Sequence, residues 1–508
     1  MKGTGYGVQY GVQGTGMRAA ALIVLGLAMA GSVSAQVQQA KPWEKIPVPP
    51  LREFKPQMPK RVELKNGIVI FLEEDHELPF VSGSVLIPGG ARDEDATKAG
   101  LIELYGQAWR TSGTAKMDGD AMDDFLEARA AHIETSGGEN STALSWDSLK
   151  GDADQVFSLA LDLLLHPRFH GEKLQLAQQQ SATAIVRRND DEAGIAGREA
   201  AKLVYGAKSP YARQPELKTI GAVKLADLEA WHSKTIGGRL IVSVNGDFDA
   251  AAMEAKLRAA FEPLPAVRRE PERHESFSEP KQALYFVDKE DVNQSNVQIV
   301  GLGTDRRNPD VPALAVMNDI LGGGFASRLF QKIRTDKGWA YAVGGGIEFD
   351  YDHPGLFNVE VLTQSVNTVP ATQLALEEIG GLTTRPFTEE ELQRAKDDIL
   401  NGFLFRYDTR EKVLAEQVRL EFYGYPADYL EKYEAAIRRV TLEDLTAAAK
   451  KYIHPDKLAV LVVGNKQEIQ PGLGILADAL KAGPVHMVDV TIPGAPKGPE
   501  TGSGAHEQ

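Results

Sequence analysis

Two periodicities alternate along this chain. Short runs of β-branched and aliphatic residues at 67–72, 81–87, 296–300 and 458–463 read as strands. In the longer stretches 155–165, 388–405 and 442–452, apolar residues return every three to four positions, the signature of amphipathic helices. The two kinds of element are intermixed without a strict strand–helix–strand alternation. The pattern therefore predicts an α+β fold rather than a doubly wound sheet.

The pattern also repeats. The segment Val223 to Leu228 leads into a strand ending at Gly246, and the similar segment Val440 to Leu445 leads into one ending at Gly464. The helical segments stand 217 residues apart and the glycines 218. Leu174 and Ala177 match Leu392 and Ala395 at the same offset of 218. Two separated stretches sharing one offset predict a tandem duplication, two homologous α+β domains at 61–262 and 283–470. A chain of 508 residues needs such a division, because single cores stop growing at roughly 250–300 residues. The proline- and charge-rich segment 263–282 reads as a linker, and 471–508 as an extension with a disordered tail.

The N-terminus carries a different signal. Within 1–35, residues 17–35 run from Arg18 through about a dozen apolar residues to small residues ending at Ala35, the pattern of a secretory signal peptide. The apolar run is shorter than the roughly 20 residues of a spanning helix, although an uncleaved anchor is the alternative. Export is expected, to the periplasm or otherwise, with cleavage near Ala35 and translation starting at Met1 or Met17. Residues 36–60 are proline-rich and read as an extended arm. No other stretch suits a bilayer, so no stable membrane insertion is expected.

Composition narrows the chemistry. Cysteine is absent, which excludes disulfides, iron–sulfur clusters and Cys-ligated zinc. A tightly held metal would depend on ten histidines and the carboxylates. The formal charge of −15 makes nucleic acid an unsuitable partner. His166 and His170 form an i, i+4 pair, but Pro167 works against a continuous helix and no glutamate accompanies them. The second copy has Pro386 and Phe387 there and no histidine, so the pair reads as a turn.

The densest stretch runs from Asn318 to Tyr341. Gly322, Gly323 and Gly324 break a helix that begins near Val311, and another starts around Ser327. Phe325 and Ala326 stand where a phosphate loop would carry its lysine and hydroxyl. Taken alone, Arg334 is an arginine late in a helix and Tyr341 a tyrosine entering a strand. Those residues by themselves suggest a surface ion pair and a half-buried aromatic.

The stretch nevertheless resembles the pitrilysin/insulinase family of zinc peptidases. Asn318, Leu321 to Phe325, Ser327 to Phe330, Arg334, Gly338, Ala340 and Tyr341 match that family's C-terminal half. Gly89 to Glu94, Pro210-Tyr211 and the strand end at 244–247 extend the likeness over most of 60–470. The resemblance implies paired domains forming a bowl or half-clamshell. It also implies a helix bearing His-x-x-Glu-His, with a distal glutamate completing the zinc shell. Here Glu103 takes the first histidine's place, Gly106 the catalytic glutamate's, Gln107 the second histidine's and Ala184 the distal glutamate's. These four positions offer one carboxylate and one neutral amide and no general base, so no metal or other cofactor is expected in this chain.

Arg334 and Tyr341 do carry over. In the family they bind the peptide backbone and steady the oxyanion, the work of preorganised donors. The expected protein is a zinc-free, substrate-binding subunit of a two-subunit zinc peptidase, acting on peptides or unfolded proteins in the periplasm. A homologous partner would supply zinc, and the chain alone should not hydrolyse peptides. The alternative is an inert scaffold derived from the same family. New chemistry at Glu103 is a third reading, against which Leu101, Leu104 and Tyr105 form an ordinary packing face.

Overall fold

The computed structural model describes residues 56–266, 277–469 and 472–495. The residues expected to form the leader and signal peptide, residues 36–55 of the expected arm, the middle of the expected linker and the end of the expected tail lie outside the described residues. What is described is an α+β fold built on two six-stranded sheets.

In the first half the strands are β1 (Lys60–Glu63), β2 (Val69–Glu74), β3 (Phe80–Pro88), β4 (His132–Gly137), β5 (Ser141–Leu149) and β6 (Ile241–Gly246). They lie in the order β1-β2-β6-β3-β5-β4. The helices are α1 (Leu101–Ser112), α2 (Gly119–Glu127), α3 (Ala153–Leu165), α4 (Gly171–Arg187), α5 (Glu192–Tyr205), α6 (Leu217–Ala222), α7 (Leu225–Ile236) and α8 (Ala250–Phe261). Along β3 every second residue is buried, so Val81, Val85 and Ile87 face a core shared with Ile102, Tyr105 and Trp109 of α1.

The second half contains β7 (Leu284–Asp288), β8 (Gln294–Leu302), β9 (Thr304–Asp305), β10 (Ala340–Ile347), β11 (Phe349–Asp350), β12 (Leu356–Gln364), β13 (Ala459–Gly464) and β14 (His486–Met487). Its sheet runs β10-β12-β8-β13-β7-β14, leaving β10 on an edge, while β9 and β11 pair separately. The helices are α9 (Val311–Gly322), α10 (Thr368–Thr384), α11 (Glu389–Arg406), α12 (Arg410–Tyr423), α13 (Tyr429–Arg439), α14 (Leu442–Tyr452) and α15 (Leu473–Leu480). Reciprocal capping bonds start α11 and α14: Thr388 with Glu391, and Thr441 with Asp444.

The duplication is visible element by element. Helices α4 and α11 begin at 171 and 389, α5 and α12 at 192 and 410, and strands β6 and β13 at 241 and 459. Each of these pairs is 218 residues apart.

The halves exchange helices. Helix α5 sends Ile195, Ala196, Ala200 and Val204 into a cluster with Val287, Val300, Ala459, Leu461 and Val463 of the second sheet. Reciprocally, Leu414 and Val418 of α12 join Val69, Phe71 and Ile241 of the first sheet. This explains why β13 is apolar at nearly every position: it is buried on both faces, one against its own helices and one against α5. Polar bonds reinforce the exchange, including Arg61 to Glu421 (2.8 Å), Arg92 to Asp352 (2.7 Å) and Tyr205 Oη to the Pro354 carbonyl (2.9 Å). No helix among the described residues is long and apolar enough to cross a membrane.

Candidate functional site

Helix α1 is started by Gly100, in the left-handed region at φ +100°, and by the Glu94 carboxylate. That carboxylate accepts from the backbone N–H of Gly100 (2.8 Å) and Ile102 (3.1 Å). Burial raises its pKa, opposed by those two bonds. Glu94 therefore acts as a cap that places α1 rather than as a reactive group.

On α1, Glu103 is exposed and accepts a bond from Gln107 Nε2 (3.3 Å), while Gln107 Oε1 is buried without a partner. Gly106 is sealed. A Cβ there would come within 2.4 Å of the Gly137 nitrogen and 2.8 Å of the Ser136 carbonyl carbon on β4. A Cβ on Gly137 would meet the Ile102 oxygen at 2.1 Å. The two glycines bring helix and strand into backbone contact, and Thr135 Oγ1 donates to the Gly106 carbonyl across the seam (2.6 Å). Ala184 is exposed on α4, which packs against α1.

These four residues do not fit zinc. The base position has no room for a side chain, and the others offer one exposed carboxylate, one carboxamide and one methyl. Among the described residues no group of three or more His, Asp or Glu is arranged to hold a metal ion. His166 caps the C-terminal end of α3 and His170 precedes α4, with the turn between them; His166 Nδ1 lies 3.2 Å from Asp162.

The Asn318–Tyr341 stretch is a rigid mount. Asn318 donates to the Ile347 carbonyl (2.7 Å) and accepts from the Ile347 N–H (2.9 Å), pinning α9 to β10. Gly322 lies against Gly345, where a Cβ would meet backbone at 2.6 Å. Arg328 forms a two-pronged bond with Glu391 (2.7 and 2.8 Å), tying the following turn to α11. Asp319 is pushed up to about 6, first by burial and then by Asp398, against the pull of Arg394.

The segment around Arg334 is π-helical, spanning Phe330–Asp336, where the sequence suggested an ordinary helix. Such a turn widens the local spacing and re-aims the side chains that follow. The pairing of β10 with β12 slips between Ala340 and Ala342, leaving Tyr341 as the bulged residue of an edge strand. Tyr341 is 72% exposed. The Arg334 guanidinium lies 5.7 Å from the Tyr341 ring centre and 5.0 Å from that of Phe330. Arg334 makes no ion pair among the described residues. The surface ion pair and half-buried aromatic suggested by the bare residues are thus replaced by a solvent-facing donor pair.

That pair can donate up to several hydrogen bonds to a carbonyl or carboxylate oxygen, with the aromatic face orienting the guanidinium. The sequence supplied both residues. It gave no sign of the Gly106–Gly137 seam or of Glu94 as a cap, because each depends on a contact distant along the chain or on local geometry.

The model of the family described as "Peptidase M16 inactive domain" matches residues 222–399. The chain is similar to the non-peptidase homolog YmxG of Helicobacter pylori, 23% identical over 410 residues, covering 79% of this chain and 93% of that protein. It is also similar to an uncharacterized zinc protease of Mycobacterium leprae, 24% identical over 402 residues, 78% and 89% of the two chains. Among solved structures, the peptidase M16 inactive domain from Pseudomonas fluorescens shares the fold. Its TM-score is 0.71 at 23% identity, covering 80% of this chain and 98% of that one.

Proposed function

We propose that this chain, which is similar to inactive homologues of the peptidase M16 family, is the zinc-free, substrate-binding subunit of a two-subunit peptidase. The partner is a homologue bearing His-x-x-Glu-His, and the substrates are peptides or unfolded proteins in the periplasm. The observation that carries this reading is the mounted, solvent-facing Arg334–Tyr341 pair in one half, taken with a sealed Gly106 in the other. One half of the machinery is kept in an exposed, donor-rich form while the other is closed by backbone contact. The two domains, 61–262 with the lost zinc positions and 283–470 with the Arg/Tyr pair, divide these roles.

In this reading Arg334 and the Tyr341 hydroxyl bind a substrate carbonyl and donate to the oxygen on which charge develops. A preorganised donor in such a place contributes about 10²–10³-fold to a rate. The scaffold alternative leaves an unpaired arginine and an exposed tyrosine on an edge strand without a task.

The test is to purify the mature chain alone and with a zinc-bearing homologue, then measure bound zinc and hydrolysis of an unstructured peptide. The isolated chain is expected to bind no zinc and cleave nothing. Zinc at Glu103 and Gln107, or cleavage by the isolated chain, would overturn the reading.

A further inference from the structure

The two copies treat the same sheet face differently. In the second half the face toward α5 is filled. Asn296 and Gln298 on β8 donate to the Glu360 carboxylate on β12 (2.8 and 3.0 Å), and Leu461 and Val463 on β13 pack in one cluster with Ala196 and Ala200 of α5.

Strand pairing identifies the equivalent residues of the first half. Gln298 stands opposite Glu360 and Leu461, as Ser84 stands opposite Ser145 and Ser243. Asn296 stands opposite Leu362 and Val463, as Ser82 stands opposite Asp147 and Asn245. Where one copy uses long side chains to close the face, the other has four serines, an aspartate and an asparagine. A cavity of about 550 Å³ results, roofed by Leu414, Val418 and Phe422 of α12. That is within the roughly 300–1,000 Å³ of ligand sites.

The floor is polar and underused. Ser84 and Ser243 bond each other (2.9 Å), but the side chains of Ser82, Ser145 and Asn245 have no partner among the described residues. At the rim Asp147 pairs with His132 (2.9 Å) and Arg419 with Glu416 (3.1 Å), while the Glu411 carboxylate has no ion pair among the described residues.

We propose that this cavity binds a short, extended, uncharged peptide segment, held by floor hydroxyls and the Asn245 carboxamide under the apolar face of α12. Hydroxyls and carboxamides both donate and accept, as a peptide backbone requires. Same-face residues recur along each floor strand at about 6.6–6.8 Å, the two-residue repeat of an extended chain. The roof receives small apolar side chains. The absence of an unpaired cation on this floor disfavours a phosphorylated or carboxylate ligand. The inference rests on the reading that this chain handles peptides and adds a second contact region, on the half opposite Arg334.

The experiment measures anisotropy of a labelled, unstructured peptide of Ser, Thr, Ala and Val residues on the full chain. Ser243→Leu with Asn245→Val installs the residues that the second copy already accommodates, and Ala415→Trp fills the cavity from an exposed position of its roof. Each is expected to weaken binding at least tenfold with the melting temperature held. Equal binding by wild type and both variants, or no binding by the wild type, would overturn the inference. So would displacement by a neutral oligosaccharide but not by unlabelled peptide. Equal binding leaves the Arg334–Tyr341 reading intact, because that reading is decided by partner-dependent cleavage.

Discussion

At Gly106 the backbone itself forbids a side chain, and the consequence can be measured. Overpacking a tight seam usually costs about 1–3 kcal/mol. Gly106→Ala should lower stability by that order in urea unfolding, and Gly106→Glu by more, because the longer chain must part α1 from β4. Restoring histidines at 103 and 107 should therefore fail to create a zinc site even with a glutamate between them. Arg334→Ala and Tyr341→Phe are expected to do the opposite. Both side chains face solvent, so stability should stay within about 0.5 kcal/mol while partner-dependent cleavage falls.

His232 gives a pH prediction at the same scale. Its Nδ1 lies 2.9 Å from Tyr105 Oη in a buried aromatic cluster with Trp109 and Phe169, and burial lowers its pKa to about 4. In the unfolded chain the imidazole takes its proton near 6.5. Between those values the unfolded state binds more protons, so stability should fall as pH drops from about 6.5 toward 4. The double variant Tyr105→Phe, His232→Leu should flatten that part of a melting-temperature profile. A profile unchanged by the variant would contradict the assignment. The sequence marked Glu103, Gln107 and Ala184 as replaced ligand positions and Gly106 as the replaced catalytic glutamate, but not that Gly106 is closed. A sequence shows which group is missing; the strand pressed into its place is a tertiary contact.

Elements explain why the pair at 334 and 341 faces outward. A π-turn and a β-bulge lie on either side of Gly338, and neither leaves a mark in apolar spacing, since the interior residues Leu329, Ile333 and Ala340 remain apolar. The amphipathic helices were legible: 442–452 matches α14, and 388–405 falls within one residue of α11 at each end. Their partners were not. The apolar positions of α5 announce a buried face, but only the fold shows that it covers the other half's sheet. Exchange makes α12 a joint between halves, so Leu414→Ala should cost about 2–4 kcal/mol. Denaturant titration followed by probes in each half should show the loss in both transitions together.

For the whole molecule, the duplication was readable in the shared offset, and the α+β class in the mixture of periods. The difference between the copies' sheet faces was not, because it resides in which residues face one another across strands. One copy carries the positions read as replaced zinc ligands and has a roomy polar face; the other has packed that face and carries Arg334 and Tyr341. The halves are also held by charge. Burial alone would raise Asp352, but bonds from His353 and Arg92 outweigh it and bring its pKa to about 2. The Arg92–Asp352 link should therefore persist until strongly acidic pH, and the two halves should melt as one unit above it.

The most direct measurement is kcat/KM for an unstructured peptide, using the zinc-bearing homologue alone, with the wild-type chain, and with its Arg334→Ala, Tyr341→Phe variant. The account predicts that the wild-type chain raises the homologue's rate and that the variant, still folded and still associated, loses about tenfold or more of it. Full stimulation by the variant, or hydrolysis by this chain without its partner, would contradict it.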